Sequence, residues 1–124
     1  MGAVIARALR LVTGLAGFLA VAFGAFGAHA LENALSPEQI DWWETATFYL
    51  LIHAGLGAAL SLQSEHSRLN LAGLIMVSGA ILFAATLYIM ALGGPRWLGA
   101  ITPIGGLGML SGWGLIILSA ARSP

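Results

Sequence analysis

Apolar residues fall into four long runs that are separated by short polar stretches. The runs cover residues 11–31, 45–62, 69–92 and 98–121. Each is about as long as a helix that crosses roughly 30 Å of hydrocarbon at 1.5 Å per residue. None shows the alternation of apolar and polar residues that a membrane β-barrel requires. The pattern predicts an all-α membrane protein, a single transmembrane domain over residues 1–124, with helices at about 8–31, 37–63, 68–92 and 102–121.

Two polar stretches carry signals for the start of a helix. Ser36-Pro37-Glu38-Gln39 has the order of a capping box, with proline at the first helical position. We therefore expect the second helix to begin at Pro37, outside the apolar run. Proline inside a helix removes a hydrogen bond and costs about 3 kcal/mol. The sequence thus predicts that the fourth helix starts at Thr102-Pro103 and is not kinked there.

The composition agrees with a lipid environment. The chain is 59% hydrophobic and 8% charged, with a mean hydropathy of +0.92, whereas about a quarter of a soluble domain is charged. Net charge is zero and lysine is absent, so the chain has no basic face for nucleic acid. The expected partner is the lipid bilayer, and the chain is expected to be a multi-pass membrane protein.

The arginines are distributed unequally between the two sides of the predicted membrane. Arg7, Arg10, Arg68 and Arg122 lie on one side, and only Arg96 lies on the other. Because positive residues accumulate in cytoplasmic segments, we expect a four-helix antiparallel transmembrane bundle with both termini in the cytoplasm.

Small residues recur at helical spacing in two of the runs. Ala16, Ala20, Gly24 and Ala28 follow one another at intervals of four, and Gly108 and Gly112 form a GxxxG motif. Such stripes let membrane helices approach closely, either inside the bundle or at the seam of a homo-oligomer. The candidate helix-packing residues are Gly24, Gly27, Gly105, Gly106, Gly108 and Gly112.

Polar side chains that could converge lie in the outer half of the predicted bundle. They are His29, Glu44, Thr45, Tyr49, His53, Thr86, Tyr88 and Thr102. This candidate cluster has two interpretations, a binding pocket or a set of hydrogen bonds that hold the helices together. We expect His29 and Glu44 to pair across the first two helices, with Tyr49 and His53 stacked below. A neutral His53 would then bond a hydroxyl group such as that of Tyr49 or Thr86.

The sequence shows no arrangement that is typical of catalysis or of a cofactor site. Ser111 does not lie in the G-x-S-x-G turn of a hydrolase. His29 and His53 differ in expected depth by about 10 Å at 1.5 Å per residue, which does not suit a shared metal or haem. We therefore expect no catalytic residue, metal or cofactor.

Several stretches resemble a known family. They are GAFGAHAL at 24–31, ETA at 44–46 followed by Tyr49 and His53, LF and LY within 82–88, and ITPIGG at 101–106 followed by Gly112-Trp113. They resemble the small integral membrane proteins grouped as domain of unknown function 423, which include the YgdD proteins and transmembrane protein 256. The resemblance implies four helices in the bacterial inner membrane and no assigned activity. The family motif positions map onto Gly24, Gly27, His29, Glu44, Thr45, Tyr49, His53, Tyr88, Thr102, Pro103, Gly105, Gly106 and Trp113.

Two functions are therefore open at this point. The first is a non-enzymatic structural or accessory membrane protein, self-associating or part of a larger membrane complex. The alternative is a binder or transporter of a small solute or lipid through the polar cluster in the outer half of the bundle.

Overall fold

The described part of the chain folds into four α-helices and one short 3-10 helix. In the computed structural model, which describes residues 1–63 and 66–123 and only the backbone of residue 28, the helices are α1 (Gly2–Ala30), α2 (Pro37–Ser61), α3 (Ser67–Ala91) and α4 (Thr102–Ala121). The 3-10 helix, Arg96–Ala100, precedes α4. No strand occurs in these residues, and the all-α prediction is confirmed.

Helix α1 begins earlier than the sequence predicts. It starts at Gly2 rather than near residue 8 and contains 29 residues, which corresponds to about 43 Å at 1.5 Å per residue. Arginine and alanine are good helix formers, and the Arg10 Nε donates a hydrogen bond to the Ala6 carbonyl at 3.4 Å. The helix therefore continues through the arginines, beyond the apolar run that the prediction relied on.

The predicted capping box at the start of α2 is confirmed. The Ser36 hydroxyl oxygen accepts a hydrogen bond from the Gln39 backbone N–H at 3.2 Å. In return, the Ser36 backbone N–H donates to Gln39 Oε1 at 2.9 Å. Pro37 lies at the start of the helix, where its missing N–H removes no helical hydrogen bond.

The predicted break before α4 is also confirmed. The 3-10 helix ends at Ala100 and α4 starts at Thr102, so no regular α-helix passes through Pro103 from the N-terminal side. The N-cap is Ile101, and Thr102 is the first residue of the helix. Thr102 has another role, because its hydroxyl donates a hydrogen bond to the Leu98 carbonyl at 3.1 Å.

Consecutive helices run antiparallel. Along each interface the residue numbers fall in one helix as they rise in the other. The contacts that establish this are Gly17–Ala54 and Gly24–Thr47 between α1 and α2, Gly57–Val77 and Thr47–Tyr88 between α2 and α3, and Gly79–Gly108 and Thr86–Thr102 between α3 and α4. The ends of the molecule therefore differ. Residues near Arg7, Arg68 and Arg122 lie at one end, and the acids of 32–44 lie at the other.

Helix α3 is the centre of the structure and packs against the other three α-helices. The most apolar stretch of α3 is 56% buried, whereas the corresponding stretch is 22% buried in α1 and 17% buried in the segment containing α4. Helices α1, α2 and α3 form a three-helix core, whereas α4 packs mainly against α3. This arrangement leaves a groove between α2 and α4 on one side of α3.

Within residues 1–63 and 66–123, three segments are long and apolar enough to cross a membrane. They are Gly2–Gly27, Ser67–Ala91 and Arg96–Ala121. Helix α2, which the apolar pattern predicted as a fourth span, is not among them. It has 25 residues, but Glu38, Asp41, Glu44 and His53 lower its hydropathy.

Glycines permit the close approach of α4 to α3. A Cβ at Gly105 would lie 2.5 Å from the Gly79 carbonyl oxygen and 2.5 Å from the Phe83 nitrogen. Gly108 and Gly112 of the predicted GxxxG motif face the same helix, against Gly79 and Met76. The motif is therefore used for packing within the chain.

The predicted stripe on α1 packs in the same way at Ala16, Ala20 and Gly24, whereas the side chain of Ala28 lies outside the described part of the chain. Ala16 and Ala20 are fully buried, Gly24 faces the Thr47 methyl group, and Gly27 lies against the Trp43 indole. The prediction that Gly106 is a helix-packing residue is wrong, because a Cβ there would meet nothing within 4 Å. One helical position rotates the side chain by about 100°, which turns Gly106 away from the α3 contact that Gly105 makes.

Candidate functional site

His53 is buried at the bottom of the groove between α2 and α4. Its side chain is 5% exposed. Helix α2 carries it one turn after Tyr49, and α4 places Trp113 opposite it. The α2–α4 groove, as we call it here, is lined by Tyr49, His53, Phe83, Gly106, Met109, Leu110 and Trp113.

Hydrogen bonds define the state of the His53 ring. Its Nδ1 lies 2.7 Å from the backbone carbonyl oxygen of Tyr49, which can only accept, so Nδ1 carries the proton. Its Nε2 lies 3.2 Å from the Trp113 indole nitrogen, which can only donate, so Nε2 accepts. This arrangement requires a neutral imidazole in which both nitrogens form hydrogen bonds. The expected neutral His53 agrees with it, but the partners are an indole and a carbonyl rather than the predicted hydroxyl groups.

Aromatic rings form the walls of the groove. The Tyr49 ring stacks on His53 with centroids 6.3 Å apart and an interplanar angle of 15°, as expected from the sequence. Trp113 meets the imidazole edge-on, at 6.2 Å and 77°. Phe83 of α3 packs against Tyr49 at 4.9 Å. Three helices thus contribute an aromatic side chain to one site.

The groove has space for a ligand. Its volume is about 310 Å³, and the absence of a side chain at Gly106 keeps one wall open. Tyr49 is 39% exposed, and its hydroxyl forms no hydrogen bond with any described residue. The groove therefore offers one free hydroxyl group beside an apolar, aromatic surface.

Thr86, Tyr88 and Thr102 lie at other contacts and do not join the groove. The Thr86 and Thr102 hydroxyl oxygens are 2.7 Å apart in the α3–α4 interface. The Tyr88 hydroxyl lies 2.7 Å from that of Thr47. Since the Thr47 hydroxyl donates to the Trp43 carbonyl, Tyr88 is the donor of this pair. These hydrogen bonds hold helices together, so the predicted single cluster divides into three separate contacts.

The predicted ion pair between His29 and Glu44 is wrong. Both residues are exposed, and the ion pair found in the described residues joins Arg96 to Glu38 instead. The α2 position that faces the end of α1 is Trp43, whose indole N–H donates to the Phe23 carbonyl at 2.8 Å. Glu44 lines a cavity with Gly24 and Gly27 of α1, but His29 lies two positions after Gly27 and is therefore turned about 200° around the α1 axis from it. Thr45 is half-buried and forms no side-chain hydrogen bond with a described residue.

Two larger or comparable cavities offer less specific chemistry. A cavity of about 360 Å³ between α1 and α3 is walled by Phe23, Phe26, Trp43 and Tyr88 with aliphatic neighbours. It exposes almost no polar atoms, so it could take an acyl chain without orienting it. A cavity of about 290 Å³ beside Gly27 and Glu44 lies at the acidic end. In the parts of the chain that are described, no group of three or more His, Cys, Asp or Glu could hold a metal ion.

The order of motifs along the chain is that of a known family. Residues 23–106 match the family described as "Protein of unknown function (DUF423)". This match covers more than half of the chain. The protein belongs to the DUF423 family. The match includes Tyr49, His53 and Gly106 of the α2–α4 groove and ends before Trp113.

Individual relatives of this DUF423 protein carry membrane-protein names. The UPF0382 membrane protein of Staphylococcus saprophyticus is 41% identical over 107 residues, which cover 84% of this chain and 88% of the relative. The UPF0382 inner membrane protein YgdD of Escherichia coli K12 is 34% identical over 119 residues, which cover 94% of this chain and 91% of the relative. No solved structure matches the chain.

The family and the fold together give the location of this DUF423 protein. Its relatives are named inner membrane proteins, and three of its segments can cross a bilayer. It is a multi-pass integral membrane protein of the bacterial inner (plasma) membrane. The family has no assigned activity, so any function has to be argued from the site.

Sequence reasoning missed three residues of these contacts. Trp113 was noted as a motif position but not as the donor to His53. Trp43 was not predicted to contact another helix, although it is 5% exposed and donates a hydrogen bond to the α1 backbone. Thr47 was not singled out. The sequence did offer one signal for such a partner, because a buried histidine needs a hydrogen-bond partner for each ring nitrogen. The sequence could not identify Trp113 as that partner, because the choice among the polar groups of the other helices depends on how α4 is placed along α2.

Proposed function

We propose that this DUF423 protein is a non-enzymatic membrane protein that holds a lipid-like amphiphile in the α2–α4 groove. The observation that carries the proposal is the Tyr49 hydroxyl, which belongs to a part-exposed residue of the groove and has no hydrogen-bond partner among the described residues. A donor that faces hydrocarbon without an acceptor is costly. A ligand with one acceptor atom would satisfy this donor.

In this proposal all four α-helices cross the bilayer and both termini lie in the cytoplasm. Support comes from the position of α2, which contacts the spanning helices from Gly17–Ala54 to Thr47–Tyr88. A helix packed along two spanning helices over this length lies at the same membrane depth. The orientation is supported by Arg7, Arg68 and Arg122 at one end, since positive residues favour the cytoplasmic side.

The groove suits a narrow amphiphile in size and chemistry. Its 310 Å³ lies at the lower end of the range for small-molecule sites, about 300–1,000 Å³. His53 lies about 15 Å along α2 from Trp43 at 1.5 Å per residue, which in this proposal puts it inside the hydrocarbon region. The ligand's acceptor would meet Tyr49, and its apolar part would lie against Phe83, Met109 and Leu110.

The state of His53 supports a binding role rather than a catalytic one. A general base must have a free lone pair within reach of the substrate proton. The only lone pair of the neutral ring is on Nε2, which accepts from Trp113. Using it on a substrate would leave the indole N–H without its partner, so we propose that His53 fixes the groove wall.

A matched pair of glycine variants tests the groove. Gly106→Leu fills it, whereas Gly114→Leu adds the same side chain at another position of α4 where nothing lies within 4 Å. Native mass spectrometry of protein extracted from its membrane in mild detergent should find a bound amphiphile on wild type and on Gly114→Leu. Occupancy of Gly106→Leu should fall by about tenfold, equivalent to about 1.4 kcal/mol. Equal occupancy of the two variants, or an empty wild type, would reject the proposal.

The second candidate is an accessory or self-associating membrane protein. Ile104, Leu107 and Ile117 on the outer face of α4 are 58%, 62% and 69% exposed, and α4 packs mainly against α3. That face is available to a second membrane protein. The predicted glycine seams give no support, because they pack within the chain. A dimer or an additional subunit in the same spectra would favour this candidate.

A further inference from the structure

A pocket with two arginines lies between the start of α3 and the end of α4. The arginine pocket, as we call it, has a volume of about 220 Å³. Helix α3 contributes Arg68 and Leu71, and α4 contributes Leu115, Leu118, Ser119 and Arg122. It lies at the end of the molecule opposite to the acids of 32–44 and shares no residue with the α2–α4 groove.

The rim of the pocket is positively charged. Both arginines are exposed, and neither lies within 4.0 Å of a carboxylate in the described residues, where the ion pair found is Arg96–Glu38. Arg68 is in the first turn of α3, whose N-cap residue His66 makes no side-chain cap hydrogen bond. The backbone N–H groups of a first helical turn have no partner within the helix and add to the positive field.

The floor of the pocket is apolar. Leu71 and Leu118 are 40% and 52% exposed. Leu115 lies two turns before Arg122 on α4, about 10 Å further along the axis at 1.5 Å per residue. Moving from the end of the molecule towards its middle, the surface therefore changes from guanidinium groups and the Ser119 hydroxyl to leucine side chains.

We propose that the arginine pocket binds an anionic phospholipid, with its phosphate between Arg68 and Arg122 and an acyl chain along Leu115 and Leu118. Arginine is suited to this role because its planar donor fork matches phosphate oxygens. Basic pockets between membrane helices are known to receive such headgroups. An arginine at the C-terminal end of α4 also interacts favourably with the helix dipole. That interaction would account for Arg122, but it involves neither Arg68 nor the leucine floor.

The experiment compares two double variants that remove the same charge from the same end of the molecule. Arg68→Gln with Arg122→Gln alters the pocket, and Arg7→Gln with Arg10→Gln is the control on α1. Each protein is incubated with equal amounts of phosphatidylglycerol and phosphatidylcholine and measured by native mass spectrometry. Wild type and the α1 control should retain phosphatidylglycerol about tenfold better than phosphatidylcholine. The pocket variant should show no preference.

Two further measurements distinguish a phospholipid in this pocket from a soluble phosphate and from a lipid in the α2–α4 groove. Glycerol phosphate, which has the headgroup but no chains, should not displace the lipid at equal concentration, because it lacks contacts with Leu115 and Leu118. Gly106→Leu, which fills the α2–α4 groove, should keep the preference for phosphatidylglycerol. The two single variants, Arg68→Gln and Arg122→Gln, should each lose part of the preference for phosphatidylglycerol. They replace the double variant in the test if the double variant misfolds.

Three results would overturn the proposal. The first is wild type without a preference for the anionic lipid. The second is an equal loss in both double variants, which would mean that the overall charge of this end attracts lipid without a defined pocket. The third is displacement by glycerol phosphate, which would assign the pocket to a soluble phosphate.

Discussion

A buried histidine needs partners for two ring nitrogens, and in this protein they come from two different helices. Tyr49, one turn earlier on α2, supplies a carbonyl at 2.7 Å, and Trp113 on α4 supplies an N–H at 3.2 Å. The first partner is local and keeps the ring in one orientation. The second ties α4, which packs mainly against α3, to α2.

We expect Trp113→Phe to destabilise the protein by about 1 kcal/mol, the size of a hydrogen bond between membrane helices. Phenylalanine keeps an aromatic ring but has no N–H, so the loss comes mainly from the unpaired Nε2 of His53. Reversible unfolding in mixed micelles measures the change. Trp97→Phe is the control, because Trp97 is 65% exposed and forms no hydrogen bond with a described residue. In a double-mutant cycle with His53→Leu, simple additivity would argue against the bond.

At the scale of helices, the α3–α4 interface depends on missing side chains. Gly79 and Gly105 bring the two backbones together, and the Thr86–Thr102 hydrogen bond lies further along the same interface. Lipid tails are as apolar as leucine, so close packing rather than apolar burial holds membrane helices together. Adding one methyl group at such a position therefore changes the distance between two helices.

Neighbouring glycines on α4 provide a direct test of this packing. In Gly105→Ala the new Cβ would lie 2.5 Å from backbone atoms of α3, and overpacking of this kind costs about 1–3 kcal/mol. In Gly106→Ala the Cβ meets nothing within 4 Å, and alanine is the better helix former by about 1 kcal/mol. Unfolding should be easier for the first variant and unchanged or harder for the second. Equal effects would contradict the interface.

At the scale of the whole molecule, the two ends differ in charge. One end has Arg7, Arg68 and Arg122, and the other has the acids of 32–44 with Arg96. Arg96 lies 3.3 Å from Glu38 and 5.3 Å from the centre of a Trp42 ring. Both charged groups of this pair are exposed, so it contributes little stability. The asymmetry matters more for orientation in the membrane.

The chain has no native cysteine, so single cysteines can report the orientation. We expect an impermeant thiol reagent to label Asn33→Cys in intact cells. It should label Gly2→Cys, His66→Cys and Ser123→Cys only after the membrane is permeabilised. The comparison of positions 33 and 66 tests whether α2 crosses the bilayer. Equal labelling of these two positions would show that it does not, and outside labelling of position 2 would reverse the orientation.

The sequence by itself determined the number, approximate length and ends of the helices. These features depend on interactions within a few residues: an apolar run of membrane length, the Ser36–Gln39 capping box, and the proline at 103 that has no N–H to continue a helix. The start of α1 was placed too late because a helix can continue through arginines after the apolar run has ended. The family could also be identified from short motifs.

Only the tertiary structure decided which side chains meet. The pairs His53–Trp113 and Thr47–Tyr88 join residues 60 and 41 positions apart. Their meeting depends on how each helix is rotated and how far it slides along its neighbour. Glycine and alanine contacts such as Gly24–Thr47 and Gly79–Gly108 set both quantities. A rotation of about 100° separates adjacent residues, which is why Gly27 of α1 meets the Trp43 indole while His29, two positions later, is turned about 200° away from it.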